Sequence, residues 1–209
     1  MAPAQHPLFA RLYARCISPS LRRMGADPLR RRALDGLAGT VVEVGAGDGA
    51  NFAFYPDTVE QVVAVEPEPY LRARAAEAAA AYPVVGVVDG TAERLPIADG
   101  TADAVVFTLV LCTVNDQVQA LAEARRVLRP GGELRVLEHV LAHEPGPLRS
   151  VQRALDATFW PLLAGGCHCA RDTVGAVEGA GFGFESLERF TFPAGSRGLD
   201  SSVVLGRAR

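Results

Sequence analysis

Val41-Val42-Glu43-Val44-Gly45-Ala46-Gly47-Asp48-Gly49-Ala50-Asn51 is a β-branched strand that runs straight into a glycine-rich turn and on toward a helix. Glycine at such a turn tolerates positive φ and lets a ligand lie against the backbone. The next β-branched run, Gln61 to Val65, ends in Glu66. A carboxylate about twenty residues past the first turn, at the carboxyl end of the second strand, is placed to accept both hydroxyls of a ribose.

Further out, apolar runs at Val84 to Val88, Ala104 to Leu109 and Glu133 to Leu137 alternate with Ala-, Glu- and Arg-rich stretches at Tyr70 to Ala81 and Val118 to Leu128. Near-continuous apolar strands separated by helical stretches suit a parallel sheet covered on both faces. Arg129-Pro130-Gly131-Gly132 is expected to stop a helix and turn into a strand. The tail predicts a helix over Asp172 to Gly179 and strands over Phe184 to Phe192 and Ser202 to Leu205, closing the sheet with an antiparallel edge. The fold class expected is α/β, a Rossmann-like, doubly wound, mostly parallel sheet in a three-layer α/β/α arrangement.

Gly45-x-Gly47-x-x-Ala50 also satisfies the loose dinucleotide fingerprint. Against a dinucleotide, Glu43 would repel a pyrophosphate but suit a cationic group. The chain is short for two mononucleotide halves, and no second turn of this type follows a later strand. A nucleoside with a positively charged tail, S-adenosylmethionine, fits this pattern.

The chain resembles the class I S-adenosylmethionine-dependent methyltransferases, with a type 11 methyltransferase domain. The likeness rests on Glu43-x-Gly45-x-Gly47-x-Gly49, Glu66, Ala92-Glu93-Arg94-Leu95-Pro96, Ala102-Asp103-Ala104-Val105 and Arg126-Val127-Leu128-Arg129-Pro130-Gly131-Gly132. Gly49-Ala50-Asn51-Phe52-x-Phe54-Tyr55-Pro56, Thr108 to Val114, Leu137-Glu138-His139-Val140 and Gly166-Cys167-His168 add a narrower resemblance to the membrane-associated thiol S-methyltransferases of animals and their bacterial relatives. The resemblance implies that S-adenosyl-L-methionine is the cofactor. It implies that Glu43, Gly45 and Gly47 surround the methionine part, that Glu66 holds the ribose, that Pro67 borders the adenine, and that Ala46, Asn51, Thr91, Ala92, Glu93, Thr108 and Leu109 complete the cofactor site. Thr91 stands where the family often has an aspartate for the adenine amino group.

The acceptor pocket is expected past the ends of strands four and five, where Cys112, Asp116, Glu138 and His139 are the catalytic candidates, with Asn115 nearby and His168 further on. Asp156, Phe159 and Trp160 either wall that pocket or pack. Adjacent residues make poor joint ligands, so Cys167-His168-Cys169, with no second Cys/His pair at zinc spacing, predicts no metal. The expected reaction is methyl transfer to a small-molecule acceptor, a thiol first, with a quinone, a phenol or a phospholipid headgroup as alternatives. An NAD-dependent oxidoreductase and a non-catalytic cofactor-binding protein are the readings from other classes.

Residues 1–39 predict a helical cap and residues 40–209 the methyltransferase domain. The cap carries Arg11, Arg15, Arg22, Arg23, Arg30, Arg31 and Arg32 against Asp27 and Asp35. Leu8, Phe9, Leu12, Tyr13, Cys16 and Ile17 fall on one side of a helix, which either docks on the core or acts as a cationic lid or a weak peripheral membrane contact. The formal net charge of -3 argues against a nucleic-acid partner. Four cysteines make no disulfide framework, and no apolar stretch is long enough for a transmembrane segment, so a cytoplasmic protein is expected.

Overall fold

A computed structural model of the chain describes residues 7–195, 198 and 202–209; residues 1–6 of the expected cap lie outside the described residues. The chain opens with α1 (Pro7–Leu12), a π-helical turn (Tyr13–Ile17), α2 (Ser18–Arg23) and α3 (Ala26–Leu34). There follow β1 (Gly39–Val44), β2 (Val59–Val65), α4 (Pro69–Ala79), β3 (Val85–Val88), β4 (Ala102–Thr108), α5 (Gln117–Val127) and β5 (Leu128–His139). The remainder forms α6 (Pro147–Asp156), α7 (Trp160–Leu163), α8 (Thr173–Gly179), β6 (Phe184–Thr191) and β7 (Ser202–Ala208).

The sheet has seven strands in the order β3-β2-β1-β4-β5-β7-β6, parallel except for β7, which is antiparallel to both neighbours. This is the expected doubly wound fold with an antiparallel end. Strand alternation sorts the side chains onto two faces. Val42, Val44, Val105, Phe107, Leu134 and Val136 meet α5 and α8, while Val41, Val62, Ala64, Ala104 and Val106 meet Leu34 and Leu37 at the end of the N-terminal segment and Ala75 of α4. Three of the helices between strands start where the sequence supplies a side-chain cap: Glu68 accepts from Leu71 N at 2.8 Å at α4, Asp116 from Gln119 N at 3.0 Å at α5 and Asp172 from Gly175 N at 3.0 Å at α8.

Three expectations are corrected. Arg129 to Gly132 do not turn into a separate strand: Leu128 already pairs with Ala102 and Glu133 with Ala104, so those four residues loop out as a bulge within β5, with Gly131 at φ 80°. The six apolar residues of the cap do not share one buried side. Phe9, Tyr13 and Ile17 are half-buried while Leu8, Leu12 and Cys16 are exposed, because the apolar stripe meets the body of the protein only along its i, i+4 row. Phe159 is 49% exposed, and neither it nor Trp160 lines the main cavity.

Candidate active site

The strand order reverses between β1 and β4, and ligands of doubly wound sheets bind outside the carboxyl ends of the strands at such a point. A cavity of about 370 Å³ opens there. Its floor is the turn after β1, where Gly45 and Gly47 have φ of 69° and 60°. A Cβ on Gly45 would lie 2.6 Å from Val110 Cγ2, so only glycine lets β1 and the segment after β4 approach this closely.

Glu66, 5% exposed, ends β2 in the cavity wall. Its Oε2 accepts from Gly47 N at 2.8 Å and its Oε1 from Glu68 N at 2.9 Å. Burial pushes the carboxyl up to about 7 against these two backbone donors, which favour the charged form. Each oxygen keeps capacity for a second donor, as a vicinal diol supplies. Pro67, Leu71, Ala92, Leu109 and Val114 give the cavity apolar walls. Three carboxylates, those of Glu66, Glu68 and Glu93, line it against the single guanidinium of Arg171, so its charge suits a cation better than a pyrophosphate. Leu109 is the non-glycine residue with positive φ, 59°, among the described residues, and strain of this kind gathers at ligand sites.

Gly45, Gly47, Glu66, Pro67, Thr91, Ala92, Glu93, Thr108 and Leu109 of the expected cofactor set line the cavity. Glu43, Ala46 and Asn51 lie behind it. Alternation along β1 turns Glu43 to the same face as Val41, toward α3, where its oxygens accept from Tyr55 OH at 2.7 Å and Asn51 Nδ2 at 3.0 Å. Asn51 Oδ1 accepts from Arg30 of α3 at 2.8 Å. Burial pushes Glu43 up to about 7, although the bonds from Tyr55 and Asn51 and the Arg30 charge favour its ionised form.

None of the four catalytic candidates lines the cavity. Asp116 caps α5. Glu138, fully buried, accepts from Val110 N at 2.8 Å and Leu111 N at 3.0 Å and so fixes the turn after β4. Cys112 and His139 converge on Cys167, with their ligand-type atoms all within 4.8 Å of one another. The polar groups that do face the cavity on this side include Asn115, His168 and Arg171. His168 Nδ1 lies 3.0 Å from Asp156 Oδ2, and His168 N donates to Cys112 O at 2.7 Å, which hangs the loop between α7 and α8 from the end of β4. Asp156, expected either to wall the pocket or to pack, does not line the cavity and touches His168 instead.

A lid from the N-terminal helix was one of the two expected readings of that segment, and its residues do line the cavity; the loop after α7 was not expected there. Phe9, Ala10 and Tyr13 cover the cavity, together with Gly165 and Gly166 from the loop after α7. The Phe9 ring lies so close to Gly165 that a Cβ there would fall 2.2 Å from it. The signal available was the i, i+4 spacing of Phe9 and Tyr13 beside two adjacent glycines far along the chain.

Residues 42–136 match the methyltransferase domain family model. The human thiol S-methyltransferase TMT1A is 38% identical over 158 residues, which cover 74% of this chain and 64% of that protein; the chain thus spans under two thirds of that relative's length. The phosphatidylethanolamine N-methyltransferase of Cereibacter sphaeroides is 31% identical over 141 residues, 65% of this chain and 68% of that protein. Among solved structures, an S-adenosylmethionine-dependent methyltransferase from Mesorhizobium loti superposes with a TM-score of 0.66 at 22% identity, covering 88% of this chain and 98% of that one, and shares the fold. With the strand order, the glycine turn and the acid-lined cavity, these matches place the chain in the family of S-adenosylmethionine-dependent methyltransferases.

Proposed function

We propose that the chain transfers a methyl group from S-adenosyl-L-methionine to a small acceptor, with a thiol as the first choice. The observation that carries this reading is the Glu66 carboxylate, fixed by two backbone donors in the wall of an acid-lined cavity at the strand-order reversal. The likeness to a thiol S-methyltransferase supports the choice of acceptor. Bound in this cavity, S-adenosyl-L-methionine supplies an electrophilic methyl group on a sulfonium.

The remaining work falls to the chain. Glu66 accepts the two ribose hydroxyls, and the acidic lining favours a cation over a neutral ligand. Phe9 and Tyr13 exclude water from above, which strengthens these interactions. With Nδ1–H donated to Asp156, His168 carries its lone pair on Nε2 and takes the thiol proton there. The acceptor sulfur forms the new bond to carbon while the sulfonium carbon–sulfur bond breaks, which leaves a methyl thioether and S-adenosylhomocysteine.

A second reading, transfer to a lipid-like acceptor, is favoured by the rim of the cavity. Leu8 at 81% and Leu162 at 80% exposure flank the roof segments that carry Phe9 and Gly165. Radiolabelled S-adenosyl-L-methionine offered with a panel of thiols, quinols, phenols and phosphatidylethanolamine vesicles tests both. Label in thiols alone supports the first reading, and label in lipid or quinol replaces the acceptor. Absence of both label transfer and calorimetric cofactor binding overturns the proposal.

A further inference from the structure

Three soft or borderline ligands meet beside the cavity without entering the mechanism above. Cys112 comes from the turn after β4, His139 ends β5 and Cys167 lies in the loop after α7, and one ligand atom from each falls within 4.8 Å of the others. Ligands about 2.0 to 2.3 Å from a shared tetrahedral zinc ion stand roughly 3.3 to 3.8 Å apart. A contraction of about 1 Å would therefore complete the geometry. We propose that Cys112, His139 and Cys167 form a three-ligand site for zinc(II) whose fourth position is open to an exogenous ligand.

Two thiolates and an imidazole select zinc over magnesium or calcium, which take oxygen ligands. The two thiolates neutralise the ion's charge on their own, so no further acid is required. The positions of the ligands are fixed in advance. Glu138 holds the turn that carries Cys112 through Val110 N and Leu111 N, Arg171 reaches Leu111 O at 2.6 Å, and the bond from His168 N to Cys112 O sets the loop that carries Cys167. Three protein ligands and one open place is the arrangement of catalytic zinc, whereas structural zinc closes all four. None of the three ligands lines the cavity, but Thr113, Gly166 and His168, each adjacent in sequence to one of them, do, so the cluster lies just behind its wall.

If the acceptor is a thiol, as the preceding section proposes and on which this step rests, its sulfur takes the open place. Coordination deprotonates a thiol at neutral pH. The proton leaves to His168, the sulfur binds zinc as thiolate, and the metal undergoes no redox change.

Cobalt(II) titration of the full chain, stripped of metal and kept reduced with a phosphine rather than a thiol, tests the site directly. One equivalent should bind with near-ultraviolet sulfur-to-cobalt charge transfer and the strong visible bands of tetrahedral cobalt, and zinc should displace it. In Cys167→Ser, with a half-buried residue replaced, zinc should bind at least about 100-fold more weakly. His139→Ala should keep charge transfer but lose affinity. Far-ultraviolet dichroism and binding of S-adenosylhomocysteine report whether the variants fold. Failure of the latter in the wild-type chain would strike the cofactor reading and not the metal site. No cobalt signal in the wild-type chain, equal binding in Cys167→Ser, or a Cys112–Cys167 disulfide without metal affinity would overturn the site. Addition of 2-mercaptoethanol should shift the charge-transfer band, and an unchanged band would overturn ligation of the acceptor.

Discussion

Arg30 on α3 donates to Asn51 Oδ1 at 2.8 Å, and the amide nitrogen of the same Asn51 donates to Glu43 Oε1 at 3.0 Å and to Thr108 Oγ1 at 3.1 Å. One buried carboxamide therefore ties the N-terminal helices to the carboxyl ends of β1 and β4, the two strands that flank the cavity. Replacing it takes a buried hydrogen-bond partner from a guanidinium, a carboxylate and a hydroxyl. Asn51→Ala should cost about 2 to 4 kcal/mol of stability. Urea unfolding measures it, and a loss under about 1 kcal/mol would mean that water replaces the amide.

Glu66 should set the pH dependence of cofactor binding. Its carboxyl is raised to about 7 by burial, and in the proposed role it accepts ribose hydroxyls as the ionised group, so affinity should fall as pH drops from about 8 to about 6. Glu66→Gln should weaken S-adenosylhomocysteine binding roughly 10- to 100-fold at pH about 8 and abolish that slope. Calorimetry across the range decides, and an unchanged Kd in the variant would remove Glu66 from the ribose site.

Glu43 carries a pH dependence of stability instead. Burial raises its folded pKa to about 7 against a reference of 4.5, so between these values the native state holds a proton that the unfolded state has released. The stability this proton confers is fully present below about 4.5 and is lost as pH rises through about 7. Unfolding midpoints of the ligand-free protein should follow this fall, and Glu43→Gln should make it shallower, with Glu66 and Glu138, raised by burial to the same level, supplying the rest. Equal slopes in the two proteins would assign the effect elsewhere.

Gly45→Ala should harm both fold and cavity. The residue sits at φ 69°, and its new Cβ would press on both methyl groups of Val110, at 2.6 and 2.8 Å. A loss of more than about 1 kcal/mol is expected, with weaker cofactor binding because Val110 lines the cavity. Gly131→Ala, at φ 80° in open space, isolates the backbone effect and should leave binding intact.

His168→Ala should lower kcat on a thiol about 100-fold or more while the Kd of the cofactor stays near its wild-type value. Asp156→Asn should lower kcat less and shift the pH profile, since the carboxylate orients the ring without touching the acceptor. Turnover at wild-type level in both variants would leave the thiol to ionise without this pair.

Much of the scaffold was legible because its signals are local. The β-branched run into Gly45 and Gly47, and Glu66 closing the following strand, follow from spacing alone, and nine of the twelve residues expected around the cofactor line the cavity. Glu43 does not itself line the cavity, and period-two alternation shows why it packs with Val41 toward α3. What lay beyond reach was non-local. Cys112, His139 and Cys167 are far apart in the chain, and the sequence shows only the adjacency of Cys167 to His168 and Cys169. The roof formed by Phe9 and Gly165 joins the first helix to a loop more than a hundred residues away, a contact that no periodicity encodes.

The meeting of Phe9 with Gly165 has a kinetic consequence. Both residues line the same cavity and press on each other, so a ligand that enters or leaves on that side has to part an aromatic ring from a glycine backbone. A larger side chain at position 165 would wedge that door ajar. Residence times would shorten and water would reach the sulfonium, so the catalyst would exchange its ligands faster and hold them less well.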